Sequence, residues 1–554
     1  MSKEYSFATL PSVSISRSRF ARKSQHKTTF NLGNIVPVYC DEVLPGDTRS
    51  LDLAALVRMT NPIAPIMDNI YLDLYAFFVP ARLTWEHWKD FMGENRESAG
   101  IPSRSYSIPY LSADTQDDVD VGSYADYFGL PVGSGMNGVL ASNKVSALPF
   151  RGLALIYNRW FRNQNLIAPL AVQTGDANEV IIGESDSTTG YGYSFFACNA
   201  AAVLKASKLK DYFTSSLPYA QKGAPVSIPL GTTAPIVTSS TYLSGTSSLA
   251  DMIWLNKSSG SIATGDLGAM GNKTTVTGSA PSGSVSVIPG NLVADLSNAT
   301  AATINQLRYA FQLQKLLEKD ALYGTRYYEL LKAHFGVSSP DSSLQDPEYL
   351  GGHRININID QVLQTTGATG SASSTLGTPG ANSVTGEKAS IFTKSFTEHG
   401  YIYILAVARH DSTYGQGINR MWTRQGRYDF YFPVFANLGA QAVLNKEIFV
   451  STSTSSTDNN VFGYQESWAE YRFKPSICTG LLRPSASNSL NYWTLAENFA
   501  STPTLSKSFV EQGRSNLTRA LVTSSIDFIA DFYFMDVAVR PMPMYSIPGL
   551  IDHH

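Results

Sequence analysis

The sequence predicts a mainly β fold, a sandwich with long loop connections and a few helices. Three observations carry that reading. Apolar residues alternate in period two in short runs that lie far apart in the chain. Only 16% of the 554 residues are charged while 11% are aromatic, chiefly Tyr and Phe. Long stretches between the runs are dominated by Ser, Thr and Gly. Strands so widely separated must pair across long connections, which disfavours a simple meander of hairpins. A chain of this length also exceeds what one compact core without elaborations accommodates. Low charge with many aromatics implies surface hidden against other chains, although a secreted β-protein has a similar composition.

The elements follow in chain order. Residues 1–33 read as an extended basic arm in which Ser alternates with Arg17, Arg19, Arg22, Lys23 and Lys27, without periodicity long enough to bury. Such an arm can lie along nucleic acid, along a neighbouring subunit, or free in solvent, and five basic residues do not decide among these. Residues 70–79 alternate, with Ile70, Leu72, Leu74, Ala76 and Phe78 on one face; Asp73 on the other predicts a partly wet side. A short helix is expected over 85–92, with Thr84 as N-cap and His87 at the third helical position. Over 303–323, Leu307, Ala310, Phe311, Leu313, Leu317 and Ala321 form a helical stripe. A second helix runs through Tyr328, Leu331 and Phe335 and stops at Gly336, completing a helix pair over 303–335.

Residues 401–408 are apolar on both faces, as in a strand covered on both sides. Residues 428–435 are a further candidate strand, ended by Pro433. In 527–534, Phe528, Ala530, Phe532 and Phe534 share a face opposite Asp527 and Asp531. The intervening segment 167–294 reads as one large insertion. From Val226 to Ala294 its only charged residues are Asp251, Lys257, Asp266 and Lys273, and Ser, Thr and Gly dominate. Such composition often means disorder, yet scattered Ile236, Val237, Leu243, Met252, Ile253, Trp254 and Val285 can anchor short strands, and the insertion is expected to order mainly by packing on copies of itself. A shorter Ser/Gly/Thr loop spans 365–386. The sandwich is thus expected from 34–166 and 295–554. The Pro-rich end cannot be helical, and its Arg540, Met542, Met544, Tyr545, Ile547 and Leu550 are candidate contacts to a neighbouring subunit.

Motifs for chemistry are sparse. Gly415 and Gly417 lack the third glycine of a dinucleotide fingerprint, and Gly268 to Thr274 is too short for a phosphate-binding loop. His399 and His410 are not at metal-ligand spacing, and His553 and His554 are adjacent, where side chains diverge; no metal or cofactor is expected. Glu466 and Glu470 would share a helical face as an acid/base pair, or simply pair with Arg472. No catalytic residue is assigned. Cys40, Cys198 and Cys478 are odd in number and far apart, as expected of reduced thiols in a cytoplasm. No run reaches the length of a membrane span, and the N-terminus lacks the apolar core of a signal peptide.

Several segments resemble the major capsid proteins of the Microviridae, gokushovirus branch. One is Phe77-Phe78-Val79-Pro80-Ala81-Arg82-Leu83 with Trp85 and Trp88, preceded by Leu44-Pro45-Gly46-Asp47 and Asn61-Pro62. Others are Leu148-Pro149-Phe150-Arg151 with Trp160-Phe161-Arg162, and Gln314-Lys315-Leu316-Leu317-Glu318 with Gly324-Thr325-Arg326-Tyr327. Glu348-Tyr349-Leu350-Gly351-Gly352, Phe462-Gly463-Tyr464-Gln465-Glu466 and Arg540-Pro541-Met542-Pro543 follow in family order. The resemblance covers nearly the whole chain and departs in 167–294 and 365–386.

It implies an eight-stranded jelly roll in a sixty-copy T=1 icosahedral shell around circular single-stranded DNA. The insertion is then a threefold surface protrusion, exposed to a bacterial receptor, and the particle assembles in the host cytoplasm. Each chain carries a formal charge of −3, so sixty carry about −180 and cannot neutralise DNA as a whole. Compensation falls to local patches, with the arm as the candidate, and to the small basic DNA-binding virion protein that the family possesses. DNA contact by this chain is then weak, on the inner face, through scattered Arg and aromatic stacking. Two rivals compete. A phage or secreted polysaccharide-binding or depolymerising β-protein needs a cleft with paired carboxylates, for which only Glu466 and Glu470 offer themselves. A DNA-binding enzyme is disfavoured by the near-neutral charge.

Overall fold

The computed structural model describes residues 15–94, 105–112, 118–178, 181–182, 195–196, 198–200, 203–226, 236–238, 254–256, 266–270, 273–277, 285–289, 292–294, 304–338, 340, 344–365, 376–451, 456–522 and 525–545. The chain divides into two compact units, Met1–Ala220 with Ala321–His554, and Gln221–Asp320.

The first unit is built on eight long strands: β1 (Ser18–Phe30), β2 (Val36–Val43), β3 (Thr48–Met59), β4 (Ile70–Pro80), β5 (Glu348–Asn356), β6 (Thr385–Ser395), β7 (Gly400–His410) and β8 (Phe528–Arg540). One antiparallel sheet has the order β1-β8-β3-β6 and the other β5-β4-β7-β2. First strand beside last, and second beside seventh, is the strand order of a jelly roll. Alternation explains each inner face. Leu51, Leu53, Ala55 and Val57 of β3 pack with Phe528, Ala530, Phe532 and Phe534 of β8 against Leu72, Leu74 and Ala76 of β4 and Ile402, Ile404 and Ala406 of β7, all in one buried core.

The second face of β4 and β7 is covered as well. Helix α1 (Leu148–Ile156) lies there: Tyr403 donates its hydroxyl proton to Pro149 O at 2.9 Å, and a Cβ on Gly152 would sit 2.2 Å from that hydroxyl. This is why 401–408 is apolar on both sides. It also corrects the expectation of a wet face at Asp73, which is 3% exposed. Arg354 on β5 (2.6 Å) and Arg409 on β7 (2.5 Å) pair with it, and their hydrogen bonds and charge outweigh the burial that would raise its pKa, holding it below the usual carboxylate range.

Residues 18–30 are a strand, where a loose arm was expected. Register runs from Ser18 opposite Arg540 to Phe30 opposite Phe528, and burial alternates along much of the run. Of the expected 85–92 helix only Trp88–Phe91 is helical; a separate short helix, Ala81–Thr84, precedes it, and Thr84 ends that helix by donating its hydroxyl to Ala81 O rather than capping the second. Residues 428–435 are not a strand; they form short 3-10 turns at Arg427–Asp429 and Pro433–Phe435. Residues 203–220, inside the expected insertion 167–294, belong to the first unit, where Tyr212 and Phe213 pack with Tyr414, Val443, Phe462 and Phe509 in a second core. Helix α2 (Ile304–Leu322) and helix α3 (Tyr327–Phe335) appear as expected, with Gly336 at φ +69° ending α3. Of the expected stripe on α2 only Ala321 is buried; Leu307 and Phe311 are 37% and 65% exposed.

The second unit contains a four-stranded antiparallel sheet ordered Trp254–Asn256, Val285–Pro289, Lys273–Thr277, Asp266–Met270, and a pair, Ile236–Thr238 with Leu292–Ala294. Short strands with Ser/Thr/Gly connections are what its composition allows.

His410, at the end of β7, is fully buried and bonds through Nδ1 to Asp411 O at 2.8 Å. Burial, its largest influence, depresses its pKa; the Asp411 carbonyl and Glu497 oppose this, and Lys208 adds to it. The folded pKa therefore lies below the unfolded value near ~6.5, so unfolding takes up a proton as pH falls. The stability His410 supplies is complete above that value and lost as pH drops towards the folded pKa. Melting of the wild-type chain is expected to fall from pH 7 to pH 5 more steeply than that of His410→Gln, in calorimetry across that range. Parallel curves for the two proteins would refute the assignment.

Candidate assembly and nucleic-acid surfaces

Alternation along β1 sorts the basic residues onto two faces. Arg19, Lys23 and Lys27 are exposed and lie on the side of the sheet away from the core, four residues or about 13 Å apart. Arg17 is exposed just before the strand. Cross-strand register extends this face through Met535, Tyr533 and Asp531 of β8 to Asp52, Ala54 and Leu56 of β3, and to Lys388 on β6. Arg58 lies on the same face, opposite Ile529. Five basic residues, Arg19, Lys23, Lys27, Arg58 and Lys388, thus share it with two acidic ones, Asp52 and Asp531. The sequence missed Arg58 and Lys388, because only pairing of strands hundreds of residues apart brings them beside β1.

Arg22 points the other way. Its guanidinium meets Asp41 of β2 at 2.6 Å and lies 3.6 Å from Asp536 of β8. Arg49 of β3, with no exposed surface, meets Asp41 at 2.7 Å and Asp536 at 2.5 Å, and donates to the Tyr39 hydroxyl at 2.9 Å. Burial alone would raise the Asp41 pKa; the hydrogen bonds and charges of Arg22 and Arg49 bring it below the ordinary carboxylate value. Arg22 is therefore a structural ion-pair partner, and the expected nucleic-acid set is reduced to Arg17, Arg19, Lys23 and Lys27.

The C-terminal residues divide similarly. Arg540 is the last residue of β8, 3.0 Å from the buried Asp47 carboxylate and bonded to Glu42 O at 3.1 Å, so it is engaged within its own chain. Met542, Met544 and Tyr545 are 42%, 56% and 76% exposed. Ile547, Leu550 and both terminal histidines lie outside the described residues.

Glu466 and Glu470 do not form the acid/base pair considered from spacing. Glu466 ends the strand Val461–Glu466 and pairs with Arg472, whereas Glu470 sits in a 3-10 turn and takes a hydrogen bond from Arg424 at 3.1 Å. Glu470 instead borders a cavity of about 270 Å³ with Glu447. Burial raises the Glu447 pKa, Arg420 opposing it. Both its oxygens are occupied, by Leu444 N and Arg420 on one side and the Tyr212 hydroxyl on the other. The three thiols are free, and no group of His, Cys, Asp or Glu fit for a metal occurs among the described residues. Nor, among those residues, is any helix long and apolar enough to cross a membrane.

Comparison with known proteins matches the chain to capsid proteins. The family described as capsid protein (F protein) matches residues 8–550. Capsid protein VP1 of Bdellovibrio phage phiMH2K is 41% identical, over 99% of this chain and 98% of that protein. Capsid protein VP1 of Chlamydia phage 1 is 38% identical over 98% and 97%, and that of Spiroplasma virus 4 is 37% identical over 95% and 94%.

Proposed function

Since this chain belongs to the capsid protein (F protein) family, as a Microviridae major capsid protein with a structural rather than enzymatic role in the virion, we propose that sixty copies close into a T=1 shell around circular single-stranded DNA. The observation that carries this reading is the jelly roll itself, with large apolar side chains left open on its surface: Tyr545, Trp422 and Val434 are 76%, 72% and 88% exposed. A standard interface removes roughly 1,600 Å² from water, and a shell subunit makes several. The exposure of Met542, Met544 and Tyr545 supports a C-terminal segment that lies on a neighbouring copy. Cryo-microscopy of particles assembled from the expressed chain tests the reading: a closed shell of sixty subunits is expected, and open sheets, helical tubes or a soluble monomer would overturn it.

The DNA lies against the outward face of the β1-β8-β3-β6 sheet, held by Arg17, Arg19, Lys23, Lys27, Arg58 and Lys388. With a net charge of −3 the chain offers DNA only such a local field, and a small basic virion protein with cations supplies the rest. Lys23→Glu/Lys27→Glu, altering exposed side chains, is expected to leave shells intact while lowering the salt at which DNA is lost. The slope of log affinity for single strands against log salt should shrink by about 0.7 per lost contact. Unchanged salt sensitivity would move the DNA to another face. The Ser/Thr/Gly-rich insertion forms the threefold protrusion and meets the bacterial surface; its deletion should abolish adsorption without abolishing shells.

A further inference from the structure

A cavity of about 650 Å³ in the first unit lies between residues 160–165, 207–217 and 321–329, and none of its lining comes from the β1-β8-β3-β6 sheet. Five basic side chains border it, Arg162, Lys208, Lys210, Arg326 and Arg409, against two acidic ones, Glu329 and Glu466. Three of the cations are compensated. Lys208 meets Glu497 at 2.6 Å, Arg326 meets Glu329 at 2.7 Å, and Arg409 shares Asp73 with Arg354. The second acid, Glu466, is taken by Arg472. Arg162 and Lys210 are left over, with no carboxylate partner among the described residues. Asp211, beside Lys210 in sequence, turns instead to Phe213 N, the Thr214 hydroxyl and the Tyr414 hydroxyl. Arg162 is partly buried and donates through one terminal nitrogen to Ile167 O at 2.7 Å, while its Nε is buried without a hydrogen-bond partner. Burial, and then the charge of Arg326, lower its pKa against the opposing Tyr157 hydroxyl, as for a cation whose surroundings lack an anion.

We propose that this cavity binds a phosphoryl group, with Arg162 and Lys210 as its cations. The neutral groups beside them are donors too. The side-chain carbonyls of Asn163 and Asn165 are occupied, by Asn165 N at 3.1 Å and by the Tyr219 hydroxyl at 2.7 Å, which leaves both NH2 groups to give hydrogen bonds. A lining of surplus cations and amide donors disfavours a cation or an apolar ligand and suits an acceptor-rich anion. The donors stand on separate segments, 162–165 and 210, so a tetrahedral group with oxygens on several sides can serve them together. A planar carboxylate presents two oxygens along one edge and serves one side. The cavity is of the size of small-ligand sites and exceeds what bare phosphate fills. Inorganic phosphate, a nucleotide and the phosphodiester of a strand share the recognised chemistry. The site is built from one chain's residues and does not depend on shell formation.

The test is calorimetric titration of dissociated full-length subunits with inorganic phosphate, and separately with an oligothymidylate strand, against chloride at matched ionic strength. Phosphate is expected to bind the wild-type chain and to raise its melting temperature. Arg162→Gln and Lys210→Gln should each weaken it about tenfold, the loss of one charge-assisted contact. Lys89→Gln, an exposed lysine outside the cavity, should not. Lys210 is exposed, so its variant keeps the test decisive even where loss of the Arg162 bond to Ile167 O impairs folding. The two arms name the source. Parallel losses for oligothymidylate assign the site to a strand's phosphodiester, and losses confined to inorganic phosphate assign it to a free phosphate or nucleotide. A wild-type chain that responds to phosphate no more than to chloride would overturn the proposal, as would unchanged phosphate affinity in folded Lys210→Gln. Acetate bound as tightly as phosphate would also overturn it, and would give the two cations to a carboxylate of a protein partner.

Discussion

Arg49→Met is expected to destabilise the fold by about 3–5 kcal/mol, the cost of leaving a buried charge without its partner. The side chain is wholly buried, Asp536 is 2% exposed and Asp41 20%. Without the guanidinium, Asp536 retains, among the described residues, only Arg22, 3.6 Å away, and a contact from the Tyr39 hydroxyl at 3.3 Å. The network joins β1, β2, β3 and β8, so it links the two sheets at one end of the sandwich. Two companions define the mechanism. Arg22→Met, whose side chain is 39% exposed, should cost at most about 1 kcal/mol. Arg49→Met/Asp536→Leu removes the buried pair together and should recover most of the loss, because the apolar pair leaves no stranded charge. Denaturant unfolding of dissociated subunits measures all three. Additive losses in the double variant would show that Arg49 acts through packing and not through Asp536.

That network also explains which strands the sequence exposed to view. The segments 70–79, 401–408 and 527–534 were legible because nearly every inward position is apolar. Residues 18–30 were not, because the inward set of β1 includes Arg22 and His26, and both read as arm-like until Asp41, Asp536 and the partner strand are known. Fully half of that strand's meaning lies in β8, five hundred residues away. For the helix pair, the apolar stripe of α2 correctly gave a helix but not its burial, since nothing in a periodicity says whether the covering surface belongs to the same chain. Arg58 and Lys388 joined the basic face only through register. The aromatic run 428–435 was read as a strand because its residue types favour one; Gly426, Pro433 and Asp429, which accepts from Gln425 N and Gly426 N, turn the chain instead.

Arg151→Met should be the second severe lesion, for a different reason. Arg151 is fully buried on α1, within the Leu148-Pro149-Phe150-Arg151 segment, and donates to three backbone carbonyls: Thr84 O at 3.1 Å, Gly175 O at 3.0 Å and Ala177 O at 3.0 Å. Those acceptors lie at the end of the Ala81–Thr84 helix and in the loop 171–178, so one side chain adds three bonds to two irregular segments that also share the main-chain hydrogen bond from Glu86 N to Thr174 O at 2.9 Å. Each stranded carbonyl costs about 1–3 kcal/mol, and partial rehydration of the loop keeps the sum near the low end, about 3 kcal/mol. Lysine cannot substitute, because a single ammonium lacks the planar fork that reaches segments on both sides. Arg151→Lys should therefore lose most of what Arg151→Met loses, and both should open 171–178 to limited proteolysis before the sandwich unfolds. If Arg151→Lys kept wild-type melting and protease resistance, the guanidinium geometry would be irrelevant and the site would need only a positive charge. Near-wild-type behaviour of Arg151→Met would show instead that α1 and the strands hold that loop without it.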